Sequence, residues 1–203
     1  GGAAIAPEGL DPISVRDLKL AKQSVSAYPN AGRPGMKALE MVRAIRADLL
    51  VEASPTNLEH GEPGLSCMRA ALQAGWHVVA ANKGPLVLAY TELTALAKAS
   101  GRKLFYSGTV AGGLPTVNLG VRDLAGSGVF KIEGIFNGTT NYILTRMEQE
   151  QISYEVALKG AQEAGIAEAD PTLDVDGWDA ANKLIIIANS VLRRPTRLAD
   201  VTV

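Results

Sequence analysis

Cysteine and histidine are scarce in this 203-residue chain: one cysteine, Cys67, and two histidines, His60 and His77. A single thiol excludes an internal disulfide and leaves the redox compartment open. His77 opens a strand-like run and His60 lies in a glycine-bearing loop. No serine or cysteine sits in a nucleophile context, so a catalytic triad is excluded. Aromatic residues make up only 5% and the net charge is −1. The chain therefore lacks both the stacking platforms and the basic surface of a nucleic-acid binder. No apolar run approaches the length of a membrane span, and no basic-then-apolar leader opens the sequence. A soluble, cytoplasmic enzyme is the expectation, with a small-molecule substrate and neither nucleic acid nor membrane as partner. Also missing is a Gly-x-Gly-x-x-Gly run following a strand. The chain opens instead on Gly-Gly-Ala-Ala-Ile-Ala-Pro-Glu-Gly, which reads as loop with no strand, as though the sequence starts partway through a domain.

What is present is ordinary globular material, 47% hydrophobic and 20% charged, enough for one large domain or two small ones. Helical spacing of apolar residues predicts helices over about 13–23, 36–46, 63–75 and 85–100, with Gly75 and Gly101 as stops and Pro85 at a helix start. Between them Asp48–Ser54, His77–Ala81 and Lys103–Ser107 read as buried strands. Strands and helices alternating through short loops predict a parallel, doubly wound sheet. Ligands of such sheets sit beyond the carboxyl ends of the strands. The segments Ser54-Pro-Thr-Asn57, Asn82-Lys83 and Ser107-Gly-Thr-Val110 fall there. After Gly108 the pattern changes: a glycine-rich turn, a helix over about 115–124, a strand over 129–136, helices over 138–147 and 154–164, then a long helix over 176–192. Asn137 and Ser153 are read as helix caps, and Gly165 as a stop. The predicted boundary divides the chain into 1–106 and 107–203.

Two groups of residues can carry chemistry. Lys83 follows a buried strand at the ligand end of the sheet, where it would bind an anion or move a proton; the plain alternative is a loop lysine in solvent. The second group is Glu168, Asp170, Asp174, Asp176 and Asp179, five carboxylates within about a dozen residues, followed by Lys183. Asp179 and Lys183 are four apart and share a helix face, with Ala180, Ala181, Leu184, Ile187 and Ala188 read as packing inward. That pair could equally be a solvated surface pair. Clustered acids also admit a divalent cation, against which stand the absence of EF-hand alternation and the presence of Lys183. The amides of Thr109-Val-Ala-Gly-Gly-Leu-Pro could face an anion, or simply form a tight turn. Asn137-Gly-Thr-Thr-Asn-Tyr read alone is a well-capped helix.

Two longer segments resemble the signatures of homoserine dehydrogenases: Asn137-Gly-Thr-Thr-Asn-Tyr-Ile-Leu-Thr-Arg-Met147 and Gly165-Ile-Ala-Glu-Ala-Asp-Pro-Thr-Leu-Asp-Val-Asp-Gly-Trp-Asp-Ala-Ala-Asn-Lys183. Glu52-Ala-Ser-Pro-Thr-Asn57, Ala81-Asn-Lys-Gly-Pro85 and Gly108-Thr-Val-Ala-Gly-Gly-Leu-Pro115 are similar to that family's cofactor-side and hinge segments. The resemblance implies an α/β fold: a partial Rossmann-like doubly wound parallel sheet, then an α+β substrate and dimerisation domain. It implies NAD(P)-dependent interconversion of L-aspartate 4-semialdehyde and L-homoserine, a step toward threonine and methionine, by a homodimer. On the same resemblance Lys183 is the proton donor to the carbonyl oxygen. Asp179 and Glu168 hold the substrate, Lys83 lies near nicotinamide and substrate, and Ser54, Thr56 and Gly165 contact cofactor. Backbone carbonyls of Val110, Gly112 and Leu114 would coordinate Na+, although Ser107 stands where family members often carry a glutamate. The alternative is an inactive or regulatory remnant that keeps the substrate and dimer half. With the dinucleotide fingerprint absent, the sequence predicts that this chain alone binds nicotinamide cofactor poorly and leaves the strands at 48–52 and 77–81 with unpaired edges.

Overall fold

The computed structural model describes residues 1–202. The first residues are not the free loop predicted for them. Strand β1 (Gly2–Ala4) pairs antiparallel with β2 (Gly32–Pro34). Helix α1 (Pro12–Leu20) lies between them and matches the predicted helix. Its first turn is set by Pro12, which needs no amide partner there, and by Asp11, whose carboxylate accepts from the Ser14 amide at 2.9 Å. Helix α2 (Ala38–Ala44) then leads into the sheet.

The sheet is parallel and three-stranded, in the order β3 (Leu49–Glu52), β4 (His77–Ala80), β5 (Leu104–Phe105), with Leu49 opposite His77 and Val78 opposite Leu104. Helices α3 (Gly64–Gln73) and α4 (Gly84–Ala99) make the crossovers. The expected edges are half right. β4 is central and paired on both sides, so its hydrogen bonds are satisfied. β3 is the edge strand, and Leu49 and Val51 on its outer face are exposed rather than buried. Helix α3 ends as predicted: Gly75 takes φ +81, a left-handed value that costs a side-chain residue strain. Helix α4 is kinked at Ala89, which leaves helical geometry.

Beyond the sheet come α5 (Gly108–Ala111), α6 (Thr116–Asn118) and a π-helical turn, Leu119–Asp123. Among the described residues no strand forms at 129–136. Ile132 and Phe136 pack against the main core while Phe130, on what would be the same face of a strand, is 85% exposed. A strand also needs a ladder partner, and none lies alongside, so the segment stays extended and unpaired. Helices α7 (Gly138–Glu150) and α8 (Tyr154–Glu163) pack through Ile143 against Ala157 and Ala161, whose small side chains, four apart, face one neighbour. The predicted long helix over 176–192 is shorter and preceded by another: α9 (Thr172–Val175), a break at Gly177, then α10 (Trp178–Ser190).

Helix α10 ties the molecule together. Ile185, Ile186 and Ile187 are fully buried in the same cluster as Met68 and Leu72 of α3, Val78 of β4 and Leu86 and Leu93 of α4. Each such side chain contributes about 1.5–3 kcal/mol relative to an exposed position. The inward set predicted from periodicity is shifted accordingly, since Ala180 and Leu184 are only half-buried. A helix wedged between the sheet helices and its own subdomain has almost no solvent face.

Candidate active site

That burial decides the fate of the charged pair on α10. Asp179 and Lys183 sit in the first turns of the helix. Lys183 donates from Nζ to Asp179 Oδ2 at 2.6 Å and to the carbonyl oxygen of Phe136 at 2.8 Å. Lys83, in the turn between β4 and α4 and 96 residues away in sequence, pairs with the other carboxylate oxygen, Oδ1. The three side chains keep only 22% (Lys83), 11% (Asp179) and 17% (Lys183) of their exposure. Neither the solvated helix pair nor the free loop lysine survives this geometry.

Lys83 reaches this point because its turn is pinned. The Gly84 amide donates to Asn82 Oδ1 at 3.0 Å, and a Cβ on Gly84 would lie 2.4 Å from the carbonyl oxygen of Asn57. Only glycine lets the loop after β3 and the turn after β4 approach so closely. Asn137 completes the set. As predicted it caps α7, its Oδ1 accepting from the Thr140 amide at 2.8 Å. A cap uses only the oxygen of a carboxamide, and the NH2 needs acceptors too. Here it donates to Asp179 Oδ2 at 3.0 Å and to Asp174 Oδ1 at 2.7 Å. Burial alone would raise the Asp179 carboxyl. The hydrogen bonds from Lys183, Lys83 and Asn137, with the Lys83 charge, outweigh it and bring the group down to about 2. Asp179 is thus a fixed anion shared by two ammonium groups.

Two cavities flank this centre. One, of ≈ 260 Å³, is lined by Thr56, Lys83, Glu168, Asp174, Asp179 and Asn182 among others. The other, of ≈ 540 Å³, is lined by Val110, Gly112, Leu114, Asn137 and Lys183 among others, with no carboxylate in its wall. Of the residues singled out in the sequence, Thr56, Lys83, Glu168 and Asp179 therefore share one cavity, while Lys183 faces its neighbour with Val110, Gly112 and Leu114. Ser54 and Gly165 line neither. The Ser54 amide donates to Glu52 Oε1 at 2.8 Å, and its hydroxyl donates to the same oxygen. Gly165 follows α8 with φ +68, and nothing lies within 4 Å of where a Cβ would stand. Of the remaining clustered acids, Asp170 accepts from the Thr172 hydroxyl at 2.6 Å, Asp174 takes the Asn137 amide, and Asp176 is exposed.

Not singled out from the sequence are the NH2 of Asn137, its pairing with the Asp174 carboxylate, and Glu52. Glu52 is a buried carboxylate at the ligand end of β3 that accepts from Ser54 and, at 3.4 Å, from Asn82 Nδ2. A signal for the first existed in the two-ended chemistry of a carboxamide cap.

Known proteins match this arrangement in order along the chain. Residues 11–107 match the family model "Homoserine dehydrogenase, NAD binding domain", and residues 115–203 match the model "Homoserine dehydrogenase". A homoserine dehydrogenase of Methanocaldococcus jannaschii is 43% identical over 202 residues, covering 100% of this chain and 60% of that protein. An NAD(+)-dependent homoserine dehydrogenase of Pseudomonas canavaninivorans is 38% identical over 201 residues, covering 99% of this chain and 56% of that protein. The solved structure of a hyperthermophilic archaeal homoserine dehydrogenase in complex with NADPH superposes with a TM-score of 0.78 at 28% identity, over 90% of this chain and 56% of that one. The chain thus spans less than two thirds of the length of these relatives. Matched in both halves, by sequence and by a Rossmann-like fold, the chain belongs to the homoserine dehydrogenase family.

Proposed function

We propose that this site serves the NAD(P)-dependent interconversion of L-aspartate 4-semialdehyde and L-homoserine. The observation that carries the reading is the Asp179 carboxylate, which joins Lys83 of the sheet half to Lys183 of the other half at the mouth of two cavities. Donor counting supports the roles. An ammonium has three N–H donors. Lys183 commits two, to Asp179 and to the Phe136 carbonyl, and keeps one for a substrate oxygen. Lys83 commits one. As an aldehyde oxygen gains negative charge, the Lys183 Nζ donates its remaining proton to it, and the paired lysines stabilise that charge. In the reverse direction the same nitrogen takes the hydroxyl proton. Across the Asp179 centre, in the neighbouring cavity, Glu168 and Asp174 supply negative charge for the substrate's α-ammonium. A site positive on one side and negative on the other suits an amino-acid zwitterion.

The residues present also fit a nicotinamide dinucleotide. The loop after β3 brings Thr56 into the cavity at the ligand end of a parallel sheet. Lys83 lines the same cavity as Thr56, while Gly165, with open space where a Cβ would stand, is assigned to the cofactor by resemblance. Ser54 would act mainly by shape, since its hydroxyl proton is committed to Glu52. When bound, the nicotinamide supplies or accepts the hydride, so the protein needs no nucleophile of its own. The NAD-binding family model over residues 11–107, the NAD(+)-dependent P. canavaninivorans relative and the archaeal structure solved with NADPH support NAD(P) as the cofactor class. Na+ is a finer proposal: Val110, Gly112 and Leu114 would hold it by carbonyl dipoles, without help from a carboxylate. Nothing in the fold or the comparisons favours an inactive remnant.

Residues 1–106 are read as the cofactor half and 107–203 as the substrate half. Among the described residues no helix is long and apolar enough to cross a membrane; the cytoplasmic placement is a proposal that rests on the family resemblance. Turnover of homoserine with NAD+ or NADP+ by the full-length polypeptide tests the reading; no turnover with either cofactor would remove it. Within it, Glu168→Gln should raise the KM for homoserine about ten- to a hundredfold, the scale of one charge-assisted hydrogen bond. The cofactor KM should hold. A rise confined to the cofactor KM would assign Glu168 elsewhere. The half from 107 onward should also form a homodimer. Phe130 stands out at 85% exposure, and Leu114 and Ile135 are exposed as well, an apolar surface that a monomer would leave in water. Sedimentation at micromolar concentration should give twice the chain mass, and Phe130→Glu should shift it toward monomer. A monomeric wild type would contradict the dimer.

A further inference from the structure

Asn182 stands on α10 immediately before Lys183 and three residues after Asp179, so it shares a helix face with that carboxylate. It is 2% exposed and lines the ≈ 260 Å³ cavity with Thr56, Lys83, Glu168 and Asp179. Among the described residues its Oδ1 is the one buried side-chain nitrogen or oxygen with no hydrogen-bond partner. Folded proteins leave few such atoms, because an unpaired buried acceptor forfeits the hydrogen bonds it made to water. The neighbouring donors are turned elsewhere: Lys83 to Asp179, Lys183 to Asp179 and Phe136, and the Asn137 amide to Asp174 and Asp179. Nothing in the fold uses the carboxamide, and the cavity it borders is the place where a ligand would enter.

The chemistry of that ligand follows from the lining. In the lining Glu168, Asp170, Asp174 and Asp179 outnumber the one cation, Lys83, so this wall favours ligand groups that bring N–H donors. A neutral oxygen beside these carboxylates adds direction without adding charge. We propose that Asn182 is a ligand-positioning residue whose carboxamide oxygen accepts a hydrogen bond from an N–H group of the bound ligand. The inference rests on the functional reading above, which supplies two such groups, the α-ammonium of the amino acid and the carboxamide of the nicotinamide ring. Oδ1 is itself buried, so accepting that bond requires the carboxamide to turn about its terminal torsion toward the cavity, a motion that breaks no hydrogen bond of that oxygen. A ligand N–H would supply the donor that the fold does not, with stability given up for recognition.

The test is Asn182→Leu in the full-length polypeptide, which keeps the branched skeleton and removes both polar atoms. Without ligand the melting temperature should hold or rise by about 2–4 °C, because an unsatisfied group has been removed. Binding should weaken about ten- to a hundredfold, the loss of a hydrogen bond from a charged or strongly polar donor. If the ammonium is the partner, the loss falls on homoserine, in KM and in the calorimetric dissociation constant alike. If the nicotinamide carboxamide is the partner, the loss falls on NAD(P). It should then vanish with the 3-acetylpyridine analogue, whose ring substituent has no N–H. Should Leu disturb packing, Asn182→Ala removes the same acceptor without adding volume. Unchanged binding of both ligands in a folded variant overturns the proposal. So does a fall of several degrees in the ligand-free melting temperature in both variants, which would mark a structural role. Failure of the functional reading shows separately, as a wild type that does not turn over homoserine. Direct titrations of homoserine and NADP+ into wild type and variant then still decide Asn182, and equal or absent binding in both overturns it.

Discussion

Lys183→Ala in the full-length enzyme is expected to lower turnover by about two to four orders of magnitude, the usual scale for loss of a general acid. Two structural observations make the residue hard to replace. Its Nζ is held from two sides, by Asp179 Oδ2 at 2.6 Å and the Phe136 carbonyl at 2.8 Å, so its remaining proton points in one direction. And α10 is fixed in the core by Ile185–Ile187, so no neighbouring lysine can swing in. Lys83 is nearby, but it enters the other cavity and is tied to the opposite carboxylate oxygen. Steady-state kinetics with homoserine and aspartate semialdehyde, alongside a melting curve to show that the variant folds, would check this. A loss of less than tenfold in a folded variant would sink the assignment.

Asp179→Asn should produce the largest fall in stability of any single change at the site. It leaves two ammonium groups close together with no anion between them. Breaking a buried ion pair by removing one partner costs about 3–5 kcal/mol. With 17–22% of the lysine side chains still exposed, about 2–4 kcal/mol is the expected share here. Part of the loss should return when Lys83→Met is added, because the second change removes one of the stranded charges. The pH dependence has a definite sign. The carboxyl lies at about 2 in the folded protein, below its ordinary 3.8. Its contribution is therefore complete above about pH 4–5 and lost as pH falls toward 2, where the folded form must also take up the proton. That share is on the order of 2 kcal/mol. Urea denaturation from pH 5 to pH 2 should show it in wild type and not in Asp179→Asn. Identical acid limbs in the two proteins would mean that Asp179 is not held as the geometry requires.

Much of this protein could be read before any coordinates. Glycines at 75 and 165 end helices because the backbone there takes a left-handed turn, and glycine is the cheap residue for it. Lys83 could be assigned to the ligand end of a strand because His77–Ala80 carries a buried-strand pattern and a parallel sheet opens its ligand side there. Asp179 and Lys183 could be put on one face because four residues make about one helical turn. These are local facts, set by spacing and by the conformational range of single residues.

The errors and omissions have a common origin in contacts that spacing does not encode. The composition of 129–136, rich in Val, Ile and Phe, reads as a strand, yet pairing depends on a neighbour, and among the described residues none pairs with it. Helix α10 looked amphipathic, with a charged face for solvent. It is buried nearly all round, because its isoleucines insert into the core of the sheet while its acidic turn meets Lys83, 96 residues earlier. That meeting converts a surface-type pair into a buried three-membered charge cluster. Sequence spacing also could not tell that Asn182 and Lys183, adjacent in the chain, face different cavities. A helix turns by about 100° per residue, so neighbours diverge, and what each one meets is decided by the elements packed around it. Composition, periodicity and single-residue conformational preference therefore account for the elements, their order and the types of the reacting groups. The pairing of those groups, their burial and, among the described residues, the one buried unpaired side-chain oxygen come from long-range packing, in which apolar burial of α10 brings charged groups to each other's side.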